Sequence, residues 1–238
     1  MKIIPVIDVL KGVAVHAVEG KRDQYRPLRS VLCATADPVA ISSHLKSSFN
    51  FGEIYLADLD SIMGGGPNLG IIRRVKDVGF RLMVDAGLAN FEELLGSGVD
   101  QIIIGTEVCP GLDFVKHSLA KYGNRIAVSL DSKGGRLLSP SEGISAMGAV
   151  SLAKRLHSMG VTNLIFLDLA RVGTKAGLDF TLLRDLRSAF PGNFVVGGGI
   201  RDLADFHMLS EEGIDGALTA TALYDGTLSF GAIRKYLA

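Results

Sequence analysis

The chain repeats itself once, in order. Val6-Ile7-Asp8-Val9-Leu10-Lys11-Gly12 resembles Ser129-Leu130-Asp131-Ser132-Lys133-Gly134-Gly135, 123 positions on, and Tyr55-Leu56-Ala57-Asp58-Leu59 resembles Phe166-Leu167-Asp168-Leu169, 110 positions on. Met83-Val84-Asp85-Ala86-Gly87-Leu88-Ala89-Asn90 aligns with Val195-Val196-Gly197-Gly198-Gly199-Ile200-Arg201-Asp202 at 112, and Gly98-Val99-Asp100 with Gly213-Ile214-Asp215 at 115. Chance accounts for one such match, not for four in the same order. The spacing therefore predicts two related halves, roughly 1–123 and 124–238, within a single domain.

Short runs rich in Val and Ile recur at Ile3–Ile7, Ile54–Ala57, Arg81–Val84, Gln101–Ile104, Ile126–Leu130, Asn163–Leu167, Phe194–Val196 and Gly216–Thr219. They are continuous rather than alternating, as strands covered on both faces are. Helix-length segments of mixed charge separate them: Pro38–Ser48, Leu69–Val78, Phe91–Ser97, Leu112–Tyr122, Ala149–Met159, Phe180–Phe190, Leu203–Glu212 and Leu228–Leu237. Asp37-Pro38 reads as an N-cap with proline at the first helical position, and Gly79, Gly98, Gly160 and Gly213 stop the runs before them. Eight strand–helix pairs predict an α/β fold, a (β/α)8 TIM barrel built from two (βα)4 half-barrels, and 238 residues suit one such barrel. Lys11–Ala36 is long for a strand-to-helix connection, and Val13–Val18 alternates within it as a small hairpin would. A shorter insertion, Gly134–Met147, follows the fifth strand.

Lys plus Arg equals Asp plus Glu at 25 each, so no bulk field draws nucleic acid or an anionic membrane, and any anion needs a local site. Cys33 and Cys109 stand apart, outside any Cys/His cluster, which fits a reducing cytoplasm better than zinc or redox chemistry. Met1-Lys2 leads straight into the first apolar run, and no run approaches the ~18 residues of a membrane span. His44, His117, His157 and His207 fall in expected helices without metal-ligand spacing, so neither metal nor cofactor is expected.

In such a barrel the chemistry sits at the carboxyl ends of the strands. Asp8 and Asp131 end the first and fifth strands, opposite one another, where one protonated and one ionised carboxyl could act on a single bound molecule. The plainer alternative is that each caps its own loop. Asp58 and Asp168 form a second matched pair, for which holding a loop and binding substrate remain equally open. Gly197-Gly198-Gly199 after the seventh strand, with Thr219, Ala220 and Thr221 after the eighth, matches the usual barrel phosphate site, against a plain tight turn. His16, Arg171 and Lys175, with Gly173 and Thr174 in the same loop as Arg171, are candidates to contact substrate. Gly64-Gly65-Gly66 reads either as a loop over the substrate or as the run-in to a helix.

With these motifs placed, the chain resembles from end to end the histidine-biosynthesis barrels: the phosphoribosylformimino-aminoimidazole-carboxamide ribotide isomerase and its sister, the cyclase subunit of imidazole glycerol phosphate synthase. The matching residues are Pro5-x-Ile7-Asp8 with Lys11-Gly12, Ala57-Asp58-Leu59-Asp60 before Gly64-Gly65-Gly66-Pro67-Asn68, Ser129-Leu130-Asp131-x-x-Gly134-Gly135, and Gly197-Gly198-Gly199-Ile200-Arg201. The resemblance implies an aldose–ketose isomerase, with Asp8 and Asp131 as acid and base, acting on a phosphorylated small molecule. The cyclase relative works with a glutaminase subunit, which leaves a glutaminase-like partner or self-association open. Four places depart from the family pattern. Leu167-Asp168-Leu169-Ala170-Arg171-Val172-Gly173-Thr174 lacks the Thr before the strand-end Asp and the Asp of an Arg-Asp-Gly-Thr loop, and Ala220-Thr221 stands for Gly-Arg or Gly-Lys. His16 replaces an arginine, and Asp85-Ala86-Gly87-Leu88 stands for a first-half Gly-Gly-Gly-Ile turn. Such losses resemble uncharacterised relatives in archaea and one-carbon-metabolising bacteria. They keep open an enzyme for another phosphorylated metabolite, as in a methanopterin or methanofuran pathway, and a non-catalytic phosphate-ligand-binding or partner subunit.

Overall fold

The computed structural model describes residues 1–234, and in it each apolar run becomes a strand. These are β1 Lys2–Leu10, β2 Glu53–Asp58, β3 Arg81–Asp85, β4 Gln101–Gly105, β5 Ile126–Lys133, β6 Asn163–Asp168, β7 Asn193–Gly197 and β8 Gly216–Thr219. Each pairs in parallel with the next, and β1 pairs with β8 from Lys2 opposite Gly216 to Pro5 opposite Thr219. The sheet is thereby a closed eight-stranded barrel.

The main helices that follow them are α1 Pro38–Phe49, α2 Leu69–Asp77, α3 Phe91–Gly96, α4 Leu112–Tyr122, α5 Ala149–Ser158, α6 Phe180–Ala189, α7 Leu203–Glu211 and α8 Phe230–Ile233, with single turns at Leu59–Ile62, Glu142–Ser145 and Thr221–Tyr224. Asp37 caps α1 as expected, its Oδ1 accepting from the N–H groups of Val39 at 2.7 Å and Ala40 at 3.0 Å. Of the helix expected over Leu228–Leu237, only the part before residue 235 falls within the described residues.

Two apolar layers hold the barrel. One lies between sheet and helices and includes Leu186, Phe194, Phe206 and Leu209. The other fills the barrel itself with one residue from each strand: Ile4, Tyr55, Met83, Ile103, Ala127, Ile165, Val195 and Leu218. This is why the strands read as continuous apolar runs, since both faces are covered. Each fully buried aliphatic or aromatic side chain contributes about 1.5–3 kcal/mol relative to exposure.

β1 and β5 run three residues beyond their apolar cores, and the reason is the same in both halves. Each continues into an antiparallel hairpin, β1 with Val13–His16 and β5 with Arg136–Leu137. The two-residue turns are Lys11-Gly12 (φ 52° and 76°) and Gly134-Gly135 (φ 60° and 77°), the doubly left-handed geometry whose twist suits a hairpin. At the opposite end of the barrel, Asp100 accepts from the N–H of Leu82 at 2.7 Å and from Lys76 at 2.6 Å. Asp215 does the same for Phe194 at 2.8 Å and Arg187 at 2.9 Å. The repeat in sequence is a repeat in hydrogen bonding.

Candidate active site

The carboxyl ends of the strands surround a cavity of about 990 Å³ including its mouth. Asp8 from β1 and Asp131 from β5 both line it, as do Gly198 and Gly199 after β7 and Thr219, Ala220 and Thr221 at the end of β8. Asp131 is held firmly. Its Oδ1 accepts from Ser129 Oγ at 2.7 Å, its Oδ2 from the N–H of Glu107 at 3.0 Å, and its own N–H donates to Thr106 Oγ1 at 2.8 Å. Asp8 is half-buried, and among the described residues its carboxylate is in no hydrogen bond or ion pair. Desolvation raises both groups to about 7, with the charge of Asp85 adding to it; the guanidinium of Arg22 opposes the rise at Asp8, and the bonds from Ser129 and Glu107 oppose it at Asp131.

Gly198 (φ 94°) and Gly199 (φ 87°) sit in backbone conformations and a space that admit no side chain. A Cβ on Gly198 would lie 2.4 Å from the carbonyl oxygen of Asp168, and one on Gly199 2.5 Å from that of Gly177. Among the described residues no loop hydrogen bond occupies the N–H of Gly198, Gly199, Ala220 or Thr221, which leaves these donors at the cavity wall. His16 stands at the edge of this region in a side recess, its Nε2 3.2 Å from Thr221 Oγ1.

Of the other expected contacts, only Gly173 and Lys175 line the cavity. Asp58 is fully buried and its oxygens are taken by the N–H of Ser61 and by both the N–H and Nδ2 of Asn68, at 3.3, 2.6 and 2.8 Å. Asp168 accepts from the N–H of Ala170 at 3.1 Å and from Arg171 Nε at 3.0 Å, and Arg171 also donates to the carbonyl of Gly177 at 2.9 Å. Both aspartates hold loops, and neither they nor Arg171 line the cavity. Thr174 closes its own turn on the carbonyl of Arg171 at 2.8 Å, outside the wall, whereas Gly173 and Lys175 line it. Gly64–Gly66 also stays outside; the N–H of Gly65 turns back onto the carbonyl of Asp60 at 2.9 Å.

A family model described as "Histidine biosynthesis protein" matches residues 2–229. The chain belongs to the histidine biosynthesis protein family. It is 35% identical over 237 residues to the 1-(5-phosphoribosyl)-5-((5-phosphoribosylamino)methylideneamino) imidazole-4-carboxamide isomerase of Deinococcus radiodurans, covering 96% of each chain. It is 31% identical to the isomerase of the same name from Listeria innocua, over 98% of this chain and 97% of that one. An uncharacterised protein of Methanocaldococcus jannaschii is 34% identical, over 98% of this chain and 97% of its own. Within this family barrel, the cavity lining also includes polar residues that the motifs did not single out as site residues: Arg22, Tyr25, Tyr55, Asp85 and Glu107. Arg22, in the long first loop, donates to Glu107 after β4 at 2.6 Å, across the mouth. Asp85 accepts from the N–H of Gly87 at 3.0 Å and from Tyr55 at 3.4 Å, and burial raises it to about 6. The sequence signal for Asp85 was its place in the repeat, opposite Gly197; Arg22 and Glu107 carried none.

Proposed function

We propose that this histidine-biosynthesis barrel is an aldose–ketose isomerase that performs an Amadori rearrangement on the ribose 5-phosphate end of an N-glycosidic ribotide. The observation that carries the reading is the single cavity in which Asp8, Asp131 and the Gly198–Gly199 turn meet. The phosphate binds at the unoccupied N–H donors of Gly198, Gly199, Ala220 and Thr221, next to Thr219. It anchors the sugar while the carboxyl groups of Asp8 and Asp131 reach it from opposite strands. One, protonated, delivers a proton to the ring oxygen as the ring opens to the imine. The other, ionised, takes the proton from C2, and the resulting enolamine becomes the ketone as a proton is delivered to C1 and the C2 hydroxyl loses its own. Two carboxyls raised to about 7 are populated in both forms near neutrality, so acid and base coexist without a cofactor in the scheme. Cys33 and Cys109 are both free thiols, in keeping with a cytoplasmic setting, and no described helix is long and apolar enough to cross a membrane.

A second reading, the same chemistry on a different phosphorylated metabolite such as a one-carbon cofactor precursor, is favoured by Asp85. That carboxylate occupies the position where the second half has Gly197. The isomerase relatives are named for a compound with two phosphoribosyl groups. Incubating purified protein with that compound and following absorbance separates the readings. Turnover supports the first; binding of inorganic phosphate without turnover leaves the second.

A further inference from the structure

The two ends of the cavity differ in charge as well as in shape. The end at β7 and β8 is a glycine turn with free N–H donors. Its counterpart after β3 presents Asp85, a residue about nine-tenths buried that lines the same cavity. Gly105, on β4, lets a second carboxylate come close. A Cβ there would lie 2.8 Å from Asp131 Oδ2 and 3.2 Å from Asp85 Oδ2, so the two oxygens converge over the bare Cα. The cations of the wall are already engaged, Arg22 by Glu107 and Lys175 by Asp225. Asp8, Asp85 and Asp131 are in no ion pair among the described residues. Asp8, with no hydrogen bond to its carboxylate, faces the same space. A phosphate placed here would meet carboxylates in place of N–H donors, whereas a cation would meet oxygens that no ion pair engages, Arg22 acting on Asp8 and Asp85 only without direct contact.

We propose that Asp85 is a specificity-determining residue, which makes the first-half end of the cavity a subsite for a protonated amine or similar N–H-rich cation. The preferred ligand is then a monophosphate with a cationic far end rather than a bisphosphate. This rests on the reading of the β7–β8 end as the phosphate site, and it goes with the second function above, a different phosphorylated metabolite, rather than with the two-phosphoribosyl compound. Burial holds all three carboxyls above their ordinary range, and an arriving cation would favour their ionised forms.

Isothermal titration calorimetry of the full chain at neutral pH tests it with inorganic phosphate, butyl and pentyl phosphate, the matching ω-aminoalkyl phosphates, and the matching α,ω-bisphosphates. The aminoalkyl phosphates are expected to bind about tenfold more tightly than the alkyl phosphates, with the bisphosphates below the aminoalkyl compounds. Asp85→Asn should erase that preference while inorganic phosphate binds within about twofold of the unsubstituted chain. Asp85→Gly, which installs the glycine of the twin turn, should raise bisphosphate affinity, a gain that a misfolded variant cannot produce. Bisphosphates binding as tightly as the aminoalkyl phosphates, or a preference that survives Asp85→Asn, would overturn the proposal. If inorganic phosphate does not bind at all, the phosphate-end reading falls and takes this one with it, a result recognisable because every phosphate in the series then fails.

Discussion

The turn after β3 and the turn after β7 hold matching places in the repeat and differ in what they present. At Gly198-Gly199 the backbone is packed against the carbonyls of Asp168 and Gly177 so closely that only hydrogen fits, and its N–H groups are free of loop hydrogen bonds at the cavity wall. At Asp85-Ala86-Gly87 one N–H, that of Gly87, is turned back onto the Asp85 carboxylate and is spent within the turn. A single carboxyl thus gives the first-half turn a self-satisfied loop with an acidic face, where the second-half turn has donors free of loop hydrogen bonds. Where the halves still agree is also informative: the hairpins at Lys11-Gly12 and Gly134-Gly135 set Asp8 and Asp131 at matching places on β1 and β5. The two halves thus match in their strand-end carboxyls and differ in these turns.

The largest effect should come from breaking the feature that the halves share. Asp8→Asn and Asp131→Asn are each expected to lower kcat by about 10²–10⁴-fold, with inorganic phosphate affinity nearly unchanged. Steady-state kinetics with phosphate titration alongside checks both parts, and a variant that keeps near-full kcat removes that residue from the acid–base pair. The pH profile of kcat/KM should be bell-shaped with its maximum close to neutrality, since both carboxyls lie at about 7.

Next come the glycines in which the turns differ. Gly198→Ala puts a methyl 2.4 Å from a backbone carbonyl at φ 94°, so the turn must open. It is expected to destabilise by at least about 2 kcal/mol and to weaken phosphate binding by at least about tenfold. Gly87→Ala meets Ile62 Cα at 3.0 Å and also carries a positive φ, so a loss of about 1–2 kcal/mol is expected. Phosphate affinity should not move. Denaturant unfolding and calorimetry on both variants make the contrast; equal loss of phosphate binding in the two would mean the first-half turn is an anion site after all.

How far the sequence reveals this division depends on what kind of signal each residue leaves. The strands were legible because a closed barrel buries both faces of each one, and the helices because Asp37 and the terminal glycines mark their ends. Asp8 and Asp131 stood out through the repeat. The same repeat singled out Asp58 and Asp168, which hold loops, because duplication preserves a structural hydrogen bond as faithfully as a catalytic group. Arg22 and Glu107 both lie in the first half, outside the repeated motifs, and meet only through folding, so neither periodicity nor repetition could announce them.

A third prediction uses pH to weigh the acidic end. Asp8, Asp85 and Asp131 are raised from 3.8 to about 7, 6 and 7, chiefly by desolvation, so between these values and the unfolded one the folded chain binds more protons. Their contribution to stability is fully present below about pH 4 and is lost as pH rises through 6 to 7. Asp85→Asn removes one member and should therefore stabilise the chain at pH 8 relative to pH 5, by about 1–3 kcal/mol or roughly 2–4 °C in Tm per kcal/mol. Thermal unfolding of both forms at the two pH values reads the difference; a variant that gains nothing at pH 8 would show that Asp85 is not destabilised by burial.

The smallest effect should fall where the halves are still twins. Asp100 and Asp215 each fasten the first residues of one strand to the next and take one long cationic side chain, far from the cavity. Replacing either by Asn keeps an acceptor for the backbone N–H of Leu82 or Phe194 but weakens the bond from Lys76 or Arg187. These side chains are 36% and 45% exposed, so solvent screens the ion pairs and the loss should stay near about 1 kcal/mol or below. What matters is that the two losses match. Equal, modest shifts in chemical unfolding with phosphate binding untouched would mean that the barrel's foot has stayed symmetric while its catalytic rim diverged. A marked inequality would show instead that the two halves have drifted apart in stability as well as in ligand recognition.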